Sequence, residues 1–283
     1  MAREVEPPVE VALKAGEFEE IRQLAHRTFG LDLKPGKEQL VAARLGRLMR
    51  AGRFGAYRQL YRHTIEDRTG EALAAMIDAL ATNHTAFYRE PEHFRFLADR
   101  AAAEWKGRGV VEVWCAACST GEEVWTLACA LDEVLSPGRV RIAATDISRK
   151  ALAAAGRAVY AADRCAALPP AWLARYFAKD GAGGYRVRPE VRSQAAFSRL
   201  NLMDAFHWPR QFAAVFCRNA MIYFDAETQA RTVAKLAASL EPGGFLFLGH
   251  AESVPERPAD LEYVRPAVYR KTDKRGGAWN RSS

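Results

Sequence analysis

The sequence predicts an α/β domain built on a largely parallel sheet, preceded by an all-α domain and interrupted by a small antiparallel β subdomain. Three patterns support this prediction. Apolar residues recur at three- and four-residue spacing over residues 17–80, which is typical of amphipathic helices. A short apolar strand, a turn of small residues and a helix follow one another in residues 110–123. Strands and helices then alternate, except at about residues 160–199, and such alternation favours a parallel sheet.

The composition is that of a globular protein. The chain has 283 residues, of which 49% are hydrophobic and 27% charged, so it has room for one large or two modest domains. No apolar run approaches the ~20 residues that span a bilayer, and the N-terminus lacks the apolar core of a signal peptide. Five cysteines, an odd number at low density, fit a reducing compartment. We therefore expect a cytoplasmic protein without membrane insertion.

The predicted all-α domain covers residues 1–82. A polar tail of about 15 residues precedes a helical pattern in which Phe18, Ile21 and Leu24 share one face, and later Leu73, Met76, Ile77 and Leu80 do so. Gly and Pro residues separate the helical segments. Residues 83–109 form a linker and a first helix, and the α/β domain occupies residues 110–283.

Basic residues are concentrated in the all-α domain. Residues 34–68 hold nine basic and three acidic side chains. Arg44, Arg47 and Arg50 are three residues apart and so share a helix face. This face is either an ordinary solvated surface or a docking stripe for an acidic partner. Nucleic acid is a poorer candidate, because aromatic residues are not interleaved with the arginines.

The segment 110–123, VVEVWCAACSTGEE, predicts a nucleoside site. Its small residues let a flat ligand approach the backbone, with Ser119 or Thr120 as the predicted N-cap of the helix. It has no GxGxxG or GxxxxGK[ST] pattern, and Glu122 and Glu123 would repel a pyrophosphate at the helix start. S-adenosylmethionine, an adenosine with a cationic centre and no phosphate, fits better. The alternative is an ordinary strand–turn–helix without a ligand.

The pair Cys115 and Cys118 has the CxxC spacing of redox and zinc motifs. A structural zinc needs four ligands, and no second CxxC or HxxxH follows. We therefore favour small residues in a tight turn and expect no metal.

The rest of the α/β domain follows in order. The next strand ends at Asp146, where an acidic side chain can accept from both ribose hydroxyls, although a surface turn residue or an N-cap is the alternative. Residues 160–199 predict the small antiparallel subdomain, to which YRVRPEV and the following AAFSRLNL belong. A strand over residues 212–219, a helix over 225–240 and the strand FLFLGH resume the parallel order. Residues 261–271 predict a closing antiparallel pair, before a polar tail from Thr272.

Several segments together resemble the CheR-type chemotaxis receptor methyltransferases. The segments are TNHTAFYRE (residues 82–90), ACSTGEE (117–123), ATDIS (144–148), LNL (200–202), FCRNAMIYFD (216–225) and GHAES (249–253). The likeness extends from about Phe18 to Tyr269. It implies a helical N-terminal domain joined to a class I S-adenosylmethionine-dependent methyltransferase domain, which is Rossmann-like. It also implies conversion of receptor glutamates to γ-methyl esters, with S-adenosylhomocysteine as the second product.

The resemblance also implies a set of cofactor contacts. Asp146 would hold the ribose, Asn201 the adenine edge and Leu202 an apolar wall. Arg89 and Arg218 suit a carboxylate, because guanidinium groups bind carboxylates bidentately. The implied cofactor-binding residues are Asn83, Thr85, Arg89, Glu123, Asp146, Asn201, Leu202, Arg218 and Asn219.

The implied chemistry needs no general base, because a glutamate with a pKa near ~4.3 is already an ionised nucleophile. Arg89 would orient the substrate glutamate and Tyr223 would hydrogen-bond it. Tyr223 as a core aromatic is the alternative. His250 is interpreted as a structural histidine.

The implied partner is the cytoplasmic helical domain of a chemoreceptor, docked on the stripe of Arg44, Arg47 and Arg50. Some members of the family grip a receptor peptide by strand addition, but the glycine turn at residues 181–184 is short for that role. Two other functions fit the cofactor site: methylation of another carboxylate acceptor, and a scaffold that binds S-adenosylmethionine without turnover.

Overall fold

The computed structural model describes residues 11–136, 138–252, 254 and 257–272. The chain divides into two compact units, one that ends at Thr82 and one that begins at Asn83. Most of both predicted tails, and Ser253 of the GHAES segment, lie outside the described residues. Within the described ranges, every helix is too short or too polar to span a bilayer.

The first unit is the expected bundle of helices. They are α1 (Ala15–Phe29), α2 (Glu38–Ala51), α3 (Tyr57–Glu66) and α4 (Glu71–Leu80). Its core includes Ile21, Leu45 and Leu80, which are fully buried at the predicted helical spacing. Buried Glu17 accepts backbone N–H bonds from Lys14 and Arg58, each at 3.0 Å. Its carboxylate therefore joins the start of α1 to the start of α3.

The second unit alternates helices and strands. In chain order these are α5 (Pro91–Glu104), β1 (Val111–Cys115), α6 (Glu122–Asp132), β2 (Val140–Asp146), α7 (Arg149–Arg157), β3 (Val159–Tyr160), α8 (Pro170–Tyr176), β4 (Phe177–Lys179), β5 (Tyr185–Val187), α9 (Pro189–Arg192), β6 (Ala195–Arg199), β7 (Phe212–Cys217), α10 (Ala226–Ser239), β8 (Leu240–Leu248), β9 (Leu261–Arg265) and β10 (Val268–Lys271).

The main sheet has the order β6-β2-β1-β7-β8-β10-β9. The strands from β6 to β8 are parallel, and β10 pairs antiparallel with both β8 and β9, as predicted for the closing pair. Both faces are buried, since Val113 and Cys115 lie in one apolar cluster and Trp114 in another. Because β2, β1, β7 and β8 are parallel, their carboxyl ends lie at one edge of the sheet. Strand order reverses at β1.

The small antiparallel sheet has the order β3-β5-β4. The prediction that AAFSR belongs to it is wrong, because β6 pairs in parallel with β2, from Ile142 with Ala195 to Asp146 with Arg199. The connection from β2 to β6 runs through α7 and the small sheet, and the short helix α9 leads from β5 into β6. Since β6 is a half-exposed edge strand, its alternating pattern cannot distinguish a parallel edge from an antiparallel hairpin.

Candidate active site

Six of the predicted site residues lie at or just after the carboxyl ends of parallel strands: Asp146, Asn201, Leu202, Arg218, Asn219 and Tyr223. In open α/β sheets ligands bind at such an edge, where strand order reverses. The loops after β1, β2 and β6 (residues 116–121, 146–148 and 200–204) are called the β1–β2 side. The loops after β7 and β8 (residues 218–225 and 249–252) are called the β7–β8 side.

The turn after β1 contains two residues with left-handed backbone conformations. Ser119 has a left-handed φ of 47°, and Gly121 has a φ of 96°. A Cβ at Gly121 would lie 2.8 Å from the Tyr160 hydroxyl and 2.9 Å from Ala155 Cβ, so glycine is required. The prediction that Ser119 or Thr120 caps α6 is wrong. Gly121 is the N-cap, and the two hydroxyls bond to the Asn83 carbonyl and the Glu122 carboxylate instead.

Asp146 shapes this turn. Its Oδ2 accepts the N–H of Ser119 at 2.8 Å, and its Oδ1 accepts the N–H of Ser148 at 2.9 Å. Ser148, not Asp146, caps α7 by accepting from Ala151. Asn83 reaches the same place, donating from Nδ2 to Ser148 Oγ at 3.4 Å. The carboxylate is 8% exposed, so it lies at the inner wall of the β1–β2 side.

The parallel placement of β6 explains how Asn201 and Leu202 reach the site. The N–H of Leu200 donates to the Asp146 carbonyl at 3.1 Å, which sets the end of β6 beside the end of β2. Leu202 is buried in the same apolar cluster as Trp114. Asn201 Oδ1 accepts the N–H of Met203 at 3.1 Å. Asn201 and Leu202 therefore follow directly on the residue that bonds the end of β2.

Buried Arg218 forms an ion pair with half-buried Glu123. Arg218 Nη1 donates to Glu123 Oε2 at 2.8 Å, and its Nη2 donates to the Arg89 carbonyl at 2.6 Å and lies 2.9 Å from Glu90 Oε2. Burial alone would lower the pKa of Arg218, but Glu123 and Glu90 more than offset it and raise the pKa. The guanidinium predicted to face the cofactor carboxylate is thus engaged by protein groups.

The linker residues Thr85 and Arg89 belong to the second unit. Tyr88 and Glu90 have left-handed φ values of 56° and 55°, so the chain bends sharply around Arg89. The N–H of Tyr88 donates to Thr126 Oγ1 in α6 at 3.2 Å, which fastens the bend. The Arg89 side chain is half-buried and donates to the His84 carbonyl at 3.2 Å. Thr85 is half-buried as well.

Tyr223 lies on a short 3-10 turn, Met221–Tyr223, on the β7–β8 side. Its side chain is half-buried, while Met221 beneath it is 1% exposed and Ile222 is 41% exposed. The partial exposure of Tyr223 favours a role at the site over a role as a core aromatic.

Glu252 is a site residue that the sequence did not predict. It is 7% exposed, and its Oε2 accepts the N–H groups of Gly249 at 2.7 Å and Asn219 at 2.9 Å. Its Oε1 accepts the N–H of Met221 at 2.6 Å. Burial raises the pKa of Glu252, although these hydrogen bonds oppose the rise. An acidic residue inside the GHAES segment was the available signal.

His93 and His250 pack edge to face, with ring centroids 4.9 Å apart. His93 is fully buried, and neither of its nitrogens has a hydrogen-bond partner within the described chain. Burial, helped by nearby Arg218, lowers the pKa of His93 to about 4. His250 Nε2 lies 3.1 Å from Glu92 Oε1, and both side chains are partly exposed. Glu90 and the two histidines have metal-ligand atoms within 4.8 Å of one another, but the Arg218 guanidinium on Glu90 disfavours a cation.

All five cysteines are buried free thiols. Burial raises the pKa of Cys115 and Cys118 well above the usual thiol value, and the negative charges of Glu123 and Asp146 add to the effect. Cys115 Sγ donates to Glu123 Oε1 at 3.2 Å. The thiols therefore stay protonated, which agrees with small residues in a tight turn.

In the first unit, the three arginines of α2 differ in their surroundings. Arg44 donates to the Leu80 carbonyl at 2.6 Å and to Thr82 Oγ1 at 2.9 Å, so it caps the end of α4. Arg47 and Arg50 are exposed. Two arginines of the predicted stripe are thus presented to solvent.

Comparison with known proteins adds to this geometry. A family model described as CheR methyltransferase, SAM binding domain, matches residues 83–269, and CheR methyltransferase, all-alpha domain, matches residues 16–81. Chemotaxis protein methyltransferase 2 of Pseudomonas aeruginosa is 37% identical over 260 residues, 89% of this chain and 92% of that protein. The chemotaxis protein methyltransferase of Salmonella typhimurium is 37% identical over 269 residues, 92% and 91% of the two chains. That of Escherichia coli is 38% identical over 253 residues, 86% of each.

Proposed function

The chain belongs to the CheR methyltransferase family, and from that premise we propose that it methylates glutamate side chains of chemoreceptors, giving γ-glutamyl methyl esters and S-adenosylhomocysteine. The observation that carries the proposal is that the β1–β2 side and the β7–β8 side, which differ in their residues, lie at the same edge of the sheet. The β1–β2 side has the small residues and Asp146 that suit a nucleoside. The β7–β8 side carries Tyr223 on the turn Met221–Tyr223, and the linker that carries Arg89 is bonded to Thr126 and to Arg218.

The β1–β2 side fits S-adenosylmethionine, the cofactor of the domain that the family model matches. Asp146 lies at the strand end, where a carboxylate accepts from ribose hydroxyls, and Asn201 is beside it for the adenine edge. Glu123 carries a negative charge near the start of α6, which suits a cationic ligand. Asn83, Thr85, Leu202 and Asn219 complete the proposed contacts, and Arg218 acts through Glu123 and the Arg89 carbonyl.

The protein has to position the acceptor and exclude water. When bound, S-adenosylmethionine supplies an electrophilic methyl group, which a carboxylate oxygen attacks while the C–S electron pair stays on sulfur. A glutamate is ionised at neutral pH, so no side chain has to remove a proton. Arg89 would orient the attacking carboxylate by charge-assisted hydrogen bonds, and the Tyr223 hydroxyl would donate to it. Effective molarity is then the main source of rate.

Receptor recognition is proposed to use the exposed arginines of α2. Arg47 and Arg50 would attract an acidic helical surface over a long range and raise the association rate at low salt. Arg44, which caps α4, would support the helix end instead.

The experiment combines the purified protein, tritiated S-adenosylmethionine and cytoplasmic receptor fragments from the same organism. We expect base-labile label on receptor glutamates, lost when those glutamates are changed to alanine. Label on another carboxylate acceptor, with none on receptors, would show that the substrate is not a chemoreceptor. Cofactor binding by calorimetry without any turnover would indicate a scaffold and would refute the proposal.

A further inference from the structure

The segment that carries Tyr223 cannot hold its shape by itself. Residues 219–224, called here the Tyr223 turn, leave the end of β7, and Asn219 begins the turn with a left-handed φ of 58°. Inside it, the N–H of Phe224 donates to the Met221 carbonyl at 2.9 Å. A turn of this kind gains most of its order from groups outside it, because buried backbone N–H and C=O groups need partners.

Glu252 supplies the acceptors. Its two oxygens accept the N–H groups of Asn219 and Met221, and the N–H of Ile222 also stabilises the carboxylate. The same Oε2 accepts the N–H of Gly249 at 2.7 Å, so one carboxylate joins the loops after β7 and β8. A Cβ at Gly249 would clash with Asn219 Nδ2, which shows how closely the two loops approach.

Gln229, in the first turn of α10, supplies the donors. Its Nε2 donates to the Met221 carbonyl at 2.9 Å and to the Phe224 carbonyl at 3.1 Å. Asp225, the N-cap of α10, accepts the N–H of Thr228 at 2.8 Å and so fixes the start of that helix. The donors of the Tyr223 turn are thus met by a carboxylate, and its carbonyls by an amide on a helix.

We propose that Gln229 and Glu252 are positioning residues that set the place of Tyr223 for the acceptor glutamate, an inference that rests on the proposed function. The two residues act on different parts of the site. Gln229 bonds the far half of the Tyr223 turn, residues 221–224. Glu252 also holds Asn219, a proposed cofactor contact. Loss of Gln229 therefore affects turnover, whereas loss of Glu252 affects turnover and cofactor binding together.

The test begins with Gln229→Met, which keeps the length of the side chain and removes the amide. We expect kcat with receptor fragments to fall about tenfold, with Kd for S-adenosylhomocysteine within about twofold of wild type. Gln229→Glu should be worse, because a carboxylate would face two carbonyls. Gln194→Met is the matched control: like half-buried Gln229, Gln194 donates from its amide, to Asp132 at 3.2 Å, but it precedes β6 at the opposite end of the sheet.

Glu252→Gln is isosteric, yet it replaces one acceptor oxygen by a donor. Since both oxygens of Glu252 accept N–H groups, either orientation of the amide loses bonds. We expect both kcat and cofactor affinity to fall. A fall in kcat with unchanged cofactor affinity would show that Glu252 does not support Asn219 and would overturn that part of the inference.

A double-mutant cycle separates positioning from general stability. If Gln229 acts through Tyr223, Gln229→Met should lower kcat by less than about twofold in a Tyr223→Phe background. Full additivity, or wild-type kcat in Gln229→Met, would overturn the inference. Hydrogen exchange of residues 219–224 gives a readout without substrate: faster exchange in Gln229→Met is expected, and unchanged protection refutes the positioning role. Wild-type protein that fails to label receptors refutes the proposed function instead.

Discussion

The two sides of the site each use a carboxylate to hold backbone N–H groups, but the carboxylates come from different places. Asp146 ends a strand, so the sheet register places it, and it lies within the site beside Asn201. Glu252 comes from the loop after β8 and lies behind the Tyr223 turn. The first carboxylate can therefore meet a ligand, whereas the second acts on the reaction through the backbone it supports.

The largest expected effect tests the ligand-binding half of this comparison. Asp146→Ala removes the acceptor for Ser119 and Ser148 and the proposed ribose contact, so cofactor affinity should fall about 100-fold. Calorimetry with S-adenosylhomocysteine measures it. Asp146→Asn, which keeps one acceptor oxygen, should lose less. If Glu252→Gln reduces affinity more than Asp146→Ala does, the comparison is wrong.

The next effect concerns pH and comes from His93 of α5, which packs against His250 of the β7–β8 side. Its pKa is about 4 in the fold and 6.5 in the unfolded chain, so the unfolded state alone takes up a proton as pH falls from 6.5 towards 4. The contribution of neutral His93 to stability is fully present above pH 6.5, and the free energy of unfolding should fall by about 2 kcal/mol by pH 5. The groups facing His93 are Glu90, Glu92, His250 and Arg218.

Urea unfolding of wild type and His93→Gln at pH 7 and pH 5 measures this term. The variant should have a smaller pH dependence, whatever its stability at pH 7. Exposed His84, changed to Gln, is the control and should keep the wild-type dependence. Equal pH dependence in wild type and His93→Gln would show that His93 is not the group responsible.

A smaller effect distinguishes acceptor from cofactor contacts. Arg89→Ala should lower kcat about tenfold while cofactor affinity falls less, because Arg89 is proposed to orient the substrate carboxylate. Single-turnover kinetics with saturating cofactor would measure it, with exposed Arg95→Ala as the control. An equal loss of affinity and turnover would place Arg89 with Asp146 as a cofactor residue.

The smallest effect lies outside both sides. Reversing the charge of Arg47 and Arg50 together should lower kcat/KM for receptor fragments about threefold at low salt, and the difference should vanish at high salt. Arg44→Ala should instead lower the free energy of unfolding, because it removes the cap of α4. A salt-independent loss in the double variant would exclude electrostatic docking.

The sequence was most informative where periodicity sets a position. The strand before Gly121, the end of β2 at Asp146 and the helical spacing of the first unit all follow from local apolar patterns. It failed where placement depends on distant pairing. The parallel pairing of β6 with β2 joins segments that are distant in the chain. The bonds of Gln229 and Glu252 to the Tyr223 turn involve loops that have no periodic pattern. The ion pairs of Arg218 also depend on the bend at Arg89, which no local pattern reveals.

The carboxylate of Glu252 has a consequence for how the site opens. The carboxylate bonds residues 219 and 221 to residue 249. The loops after β7 and β8 therefore cannot separate without breaking the hydrogen bonds of a buried carboxylate. Product release is then expected to depend on the linker, whose bend at Arg89 is held by the Tyr88 N–H bond to Thr126 and by Arg218. The slow motion in turnover should therefore belong to the linker, and the β7–β8 side should stay rigid through the catalytic cycle.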